Sequence, residues 1–254
     1  MSKKKSKSTR HEQQRAAAER AAAIRKEQER KERVRRIGIG GAILAVVAAL
    51  IGVLVWVQAG GEDVDTATPP AGAVESFGLG FGDPSAPVQV EIFEDFYCPV
   101  CGAFENEVGP DLTAAVEAGE AYVTFYPVAI LDRASPTDYS TRSANAVAAV
   151  LDAAGPEVAK QFHDLLYANQ PAEGGSEDPS DDQLVDFAVQ AGATEADVRP
   201  AIEDRSFEQW VRNATDNFSD RGYSGTPTVV VDGEQLSGET LAEVIEALRS
   251  RLGA

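Results

Sequence analysis

Cys98 and Cys101 are the only cysteines in this 254-residue chain, and Pro99 and Val100 separate them. Thiols at this spacing reach each other, so they can close a disulfide, open it and close it again. The residues just before them, Val88-Gln89-Val90-Glu91-Ile92-Phe93, alternate apolar with polar side chains. This pattern predicts a strand that delivers the pair to the first turn of a helix. Proline suits the first helical position, which sets Cys98 at the N-cap and Cys101 in the first turn. A sulfur at the N-cap faces unpaired N–H groups and the positive end of the helix dipole, and both favour the thiolate. Cys98 is therefore read as the nucleophile and Cys101 as the resolving thiol, with Pro99 and Val100 supporting the helix start.

Other uses of two cysteines fit less well. Zinc takes about four ligands, and outside the pair the chain offers only His11 and His163 as further histidine ligands. No metal and no cofactor are expected. A structural crosslink gains stability with the length of the loop it closes, and two intervening residues close almost none. The helical setting of His163 points to packing or a surface hydrogen bond before catalysis.

The net charge of −18 conceals two oppositely charged parts. Residues 1–36 hold 14 Lys/Arg against 5 Asp/Glu, a net of +9, whereas the remainder holds 9 against 36, a net of −27. Between them, Ile37 to Val57 carries no charged side chain and ends beside Trp56. About 20 apolar residues cross a bilayer as a helix, and the basic flank stays cytoplasmic under the positive-inside rule. The run exceeds the h-region of a cleaved signal peptide, and the basic segment before it is longer than a signal n-region. The expected topology is a single-pass cell-membrane protein with a cytoplasmic N-terminus and an extracytoplasmic C-terminal domain. The basic arm lacks interleaved aromatics and abuts the span, so nucleic acid is not an expected partner. Residues 58–82, rich in Gly, Pro, Ala and acid, read as a flexible linker.

Residues 83–254 are enough for one core of ordinary domain size. Phe104, Val108 and Leu112 recur at helical spacing up to Glu117, with Pro110 expected to kink or split that helix. Ala121 to Tyr126 reads as a second strand. A helical block follows from Pro136 to Ser219. Thr228 to Val231 is a third strand, and Asp232-Gly233 is a tight-turn signal into a short return strand. Thr240 and Glu243 form a capping box for a last amphipathic helix. The fold class is α/β.

In this order the pieces carry a resemblance. Residues 79–254 resemble a thioredoxin-fold domain of the DsbA-like kind, with an inserted helical block. The likeness rests on Phe93-Glu94-Asp95-Phe96-Tyr97-Cys98-Pro99-Val100-Cys101, the proline-interrupted helix ending in Ala118-Gly119, the strand reaching Tyr126-Pro127, Phe162 to Gln170, and Gly225-Thr226-Pro227-Thr228. It implies that Thr226-Pro227 is a cis-proline loop facing the dithiol, where the backbone of Thr226 is free to pair with an extended substrate. It also implies a thiol-disulfide oxidoreductase acting on exported cysteine-containing proteins, with a quinone-linked membrane protein to reoxidise it. A reductase or dedicated electron carrier, and a non-catalytic tethered scaffold, are the rival readings. Two positions depart from the family pattern. Ile92 stands where thioredoxin-like proteins usually carry an acid, leaving Glu91, Glu94 and Asp95 as nearby candidates, and Val100 stands where strong oxidants of the family have His.

Overall fold

The computed structural model describes residues 67–253. The basic segment 1–36, the expected membrane span 37–57 and the start of the linker lie outside the described residues. No helix among the described residues is long and apolar enough to cross a membrane.

Six strands form one mixed sheet: β1 (Ala73–Val74), β2 (Gly78–Phe81), β3 (Val88–Glu94), β4 (Ala121–Pro127), β5 (Thr228–Val231) and β6 (Glu234–Gln235), in the spatial order β1-β2-β4-β3-β5-β6. β3 and β4 are parallel and central, while their outer neighbours β5 and β2 run antiparallel to them. A parallel pair needs a crossover, and α1 (Pro99–Glu117) supplies it. The expected linker is shorter than its sequence composition suggested. β1 and β2 fall within 58–82, and Leu79 and Phe81 are buried against the core. Four residues of Gly-Leu-Gly-Phe type read as flexible because the glycines dominate. At Gly80, however, an added Cβ would lie 1.9 Å from the Tyr122 hydroxyl, so the glycine there marks close packing.

The helices after β4 are α2 (Tyr139–Ala154), α3 (Pro156–Ala168), α4 (Asp181–Ala191), α5 (Glu195–Glu203) and α6 (Glu208–Asp220), preceded by a 3₁₀ turn at Asp132–Ala134. They form the inserted block. α7 (Leu241–Leu252) closes the chain, with the Thr240–Glu243 capping box present in both directions. Asp232 and Gly233 both adopt positive φ, 53° and 80°, as a two-residue hairpin matching the strand twist requires.

α1 runs unbroken through Pro110, without the split expected there. Proline at this position removes one N–H that would have bonded to the carbonyl of Asn106, and both residues lie on the exposed side of the helix. Water can satisfy that carbonyl, while Phe104, Val108, Leu112 and Ala115 hold the opposite face in the core.

Alternation along β3 decides where its acids go. Val90, Ile92 and Glu94 share one face; Glu91 and Phe93 share the other. Phe93 stacks on Tyr126 with ring centroids 4.5 Å apart, and the Arg221 guanidinium lies over it at 4.8 Å.

Candidate active site

The chain leaves β3 at Glu94 and reaches α1 within four residues, so Asp95, Phe96, Tyr97 and Cys98 form the link that aims the dithiol. Asp95 holds this link. It is fully buried, its Oδ1 accepts the Tyr97 N–H at 2.9 Å, and its Oδ2 accepts the N–H groups of Ile130 and Leu131 at 2.9 and 3.0 Å. Its backbone carbonyl accepts the Cys98 N–H at 2.9 Å. Burial pushes its carboxyl up to about 6, against the pull of the Ser140 hydroxyl and the three N–H donors.

Cys98 is the N-cap of α1 and Pro99 its first residue. Cys98 is 6% exposed, Cys101 is fully buried, and both are free thiols. The Cys98 thiol sits in a donor nest: a hydrogen bond from the Cys101 thiol, one from the Thr226 side chain and the backbone N–H groups of Cys101 and Val100 outweigh burial and lower it to about 6. Cys101 goes the other way. Burial first, then the neighbouring Cys98 sulfur, pushes it well above the ordinary thiol value. Two sulfurs with such different proton affinities divide the labour, one held as a thiolate and the other as its proton-bearing partner. Alkylation of the reduced protein should therefore follow a single titration. The rate should reach half its plateau near pH 6 and fall about tenfold per unit below that, with Cys101 unmodified at neutral pH. Mass mapping of the labelled cysteine against pH measures this, and a midpoint near 9 would contradict it.

The structure brings the other sequence-derived residues to the same place. The Thr226–Pro227 peptide is cis, and the Thr226 carbonyl oxygen lies 3.4 Å from Cys98 Sγ. Pro99 and Val100 are exposed beside it, Val100 at 47%. These residues surround Cys98, whose thiol donates to the Thr226 carbonyl.

Gln170, just beyond α3, completes the support, and sequence reasoning gave it no role. Its Nε2 donates to the carbonyls of Phe96 and Cys98 at 3.0 and 2.9 Å, clamping the turn from behind. Gly102 makes room for it, because a Cβ there would lie 2.3 Å from Gln170 Oε1. Tyr97 is anchored similarly, its hydroxyl accepting the Gly174 N–H at 3.1 Å. The helical insertion thus reaches back to fix the redox turn. Gly102→Ala and Gln170→Ala should each cost about 1–3 kcal/mol for the two lost hydrogen bonds. The double variant should cost little more than the worse single one, since both break the same clamp. Denaturant titration of all three checks this, and full additivity would dissolve the link.

Of the three acids near the missing family position, Glu91 is on the far face, bonded to Arg221 at 2.8 and 3.0 Å. Asp95 is engaged as described. Glu94 is fully buried and meets His163 Nε2 at 2.6 Å. His163 is indeed packed, between Phe125, Phe96 and Tyr167. Its carboxylate partner comes from a strand 69 residues away, which no local pattern exposes.

A family model described as Thioredoxin matches residues 77–249. Among solved structures, oxidised DsbA of Mycobacterium tuberculosis is 29% identical with a TM-score of 0.56, the match covering 72% of this chain and 91% of that one. BdbD of Bacillus subtilis, at 21% identity and a TM-score of 0.60 over 74% of this chain and 99% of its own, shares the fold. The serine/threonine-protein kinase PknE of Mycobacterium tuberculosis is 27% identical over 158 residues, 60% of this chain. The chain spans only 28% of the length of that relative.

Proposed function

Because this chain belongs to the thioredoxin family, with a DsbA-like arrangement of its helical insertion, we propose that it is a membrane-anchored extracytoplasmic thiol-disulfide oxidoreductase that oxidises cysteines of exported proteins. The observation that carries the reading is the free Cys98 thiol capping α1, one turn from a fully buried Cys101 and against the cis Thr226–Pro227 peptide. Anchoring rests on the apolar run 37–57 behind a basic segment.

In the oxidised protein a substrate thiolate attacks Cys98 Sγ, breaking the Cys98–Cys101 bond and forming a mixed disulfide. Cys101 leaves with the electron pair and, given its high proton affinity, takes up a proton. A second substrate thiolate then attacks the substrate sulfur, and Cys98 departs as a stable thiolate. The substrate is oxidised by two electrons and the dithiol reduced. An extended client backbone pairs with Thr226 while its cysteine lies between Pro227 and Val100. Reoxidation falls to a quinone-linked membrane protein.

Lowering a thiol from 9.0 to about 6 stabilises the reduced protein by about 1.4 kcal/mol at pH 7, equivalent to about 30 mV. A reduction potential less negative than the −270 mV or so of thioredoxin is expected. Equilibration against glutathione buffers measures it, and a value at or below that of thioredoxin would favour a reductase. Trapping clients with Cys101→Ala tests the proposal as a whole: many exported proteins held on Cys98 support a general oxidase, one indicates a dedicated carrier, and none overturns the exchange.

A further inference from the structure

Beneath the dithiol, on the inner side of α1, three side chains from three elements meet. Glu94 ends β3, Glu105 lies on the second turn of α1 and His163 on α3, and one ligand atom of each lies within 4.8 Å of the other two. All are buried, at 0%, 8% and 1% exposure. Glu94 Oε1 meets His163 Nε2, but Glu94 Oε2 and Glu105 Oε1 have no hydrogen-bond partner among the described residues, and neither does the nearby Tyr167 hydroxyl. Buried carboxylate oxygens are costly to leave unpaired.

The rest of the surroundings follow the pattern of a metal centre. His163 Nδ1 bonds Asp164 Oδ1 at 2.9 Å, and an outer carboxylate of this kind fixes a metal-binding imidazole with Nε2 facing inward. A cleft of about 480 Å³ between α1 and α3 is lined by Glu105, Asp164, Lys160 and Tyr167, giving a path from solvent. The cluster contains neither cysteine, so it is distinct from a zinc site at the dithiol.

We propose that Glu94, Glu105 and His163 form a divalent transition-metal site, one imidazole nitrogen and two carboxylate oxygens, suited to Zn²⁺. One nitrogen and two oxygens favour zinc over the all-oxygen shells that calcium and magnesium take. Two carboxylates neutralise the ion, so the interior gains no net charge. Any proton held by His163 Nε2 or by a ligand carboxyl leaves to solvent as the metal–ligand bonds form, and no electron is transferred. The ion would tie together β3, α1 and α3, whose junction lies four residues ahead of Cys98.

The test uses the full-length protein in detergent with its disulfide closed, so that no thiolate competes. Calorimetric titration with Zn²⁺ should give one ion per chain, and Glu105→Gln should weaken binding at least about tenfold, whereas His11→Ala should leave it unchanged. In the unmutated protein Co²⁺ should give d–d bands without the sulfur charge-transfer band, a readout that needs no variant. Absence of binding by the oxidised protein, or equal affinity in a folded Glu105→Gln, would overturn the site.

Discussion

Cys98→Ala is expected to reduce thiol-disulfide exchange to the uncatalysed background, a loss of about 10³-fold or more, equivalent to at least about 4 kcal/mol of barrier. No other sulfur can take over. Cys101 is the only other cysteine in the chain, it is fully buried, and its raised proton affinity leaves it a thiol at neutral pH. Met1 aside, the chain has no further sulfur. Cys98→Ser should behave the same way, since an alkoxide is neither formed nor displaced under these conditions. Cys101→Ala should differ in kind, retaining attack by Cys98 on a disulfide substrate but stalling at the mixed disulfide. Stopped-flow exchange with a fluorescent disulfide peptide distinguishes the three variants. Turnover by Cys98→Ala above background would mean that the reaction runs through some other group. Helix geometry makes the same demand on stability: the reduced form should gain on the oxidised form as pH rises from about 6 to 9, because the thiolate is held in the folded protein at pH values where an unfolded thiol is still protonated.

The placement of the two thiols at a helix start was readable because everything that defines it is local: the alternation of Val88 to Phe93, proline at the first helical position and two cysteines in one turn. The capping box at Thr240 and the turn at Asp232-Gly233 were legible for the same reason. What escaped was carried by contacts distant in sequence. Gln170 clamps the Cys98 carbonyl from 72 residues away and Trp210 Nε1 donates to the Ser76 carbonyl from 134 away. Gly78-Leu79-Gly80-Phe81 read as linker because glycine has the same composition whether it loosens a chain or admits a neighbour. Only the packing of Tyr122 against Gly80 separates the two cases. Glu94 and Asp95 illustrate the limit most sharply. They are adjacent, one meets an imidazole and the other gathers three backbone donors from two segments, and sequence spacing shows only two acids before a cysteine.

Asp95→Ala should be the most damaging substitution outside the dithiol, destabilising the reduced protein by about 3–5 kcal/mol. The residue anchors two segments at once, and its removal strands the N–H groups of Tyr97, Ile130 and Leu131, each worth about 1–3 kcal/mol when left unpaired in the interior, less what relaxation and entering water recover. Against a total stability of about 5–15 kcal/mol for a domain of this kind, that is a large share. Asp95→Asn separates shape from charge. It fits the same space, but its NH₂ must face either Tyr97 or the Ile130–Leu131 pair, donor against donor, so an intermediate loss of about 1–3 kcal/mol is expected. The two proteins should also differ in pH dependence. Asp95 is raised from 3.8 to about 6 in the folded state, so its protonation contributes stability that is fully present below about 4 and lost as pH rises through 6. Asparagine cannot titrate, and the advantage of the native protein over Asp95→Asn should therefore be larger at pH 4 than at pH 7, by up to about 3 kcal/mol. Urea unfolding of the three proteins at both pH values measures the order and the slope. An Asp95→Ala protein as stable as Asp95→Asn would mean that Asp95 does not hold the link from β3 to α1, and a pH-independent gap between Asp95→Asn and the native chain would mean that burial does not raise its carboxyl.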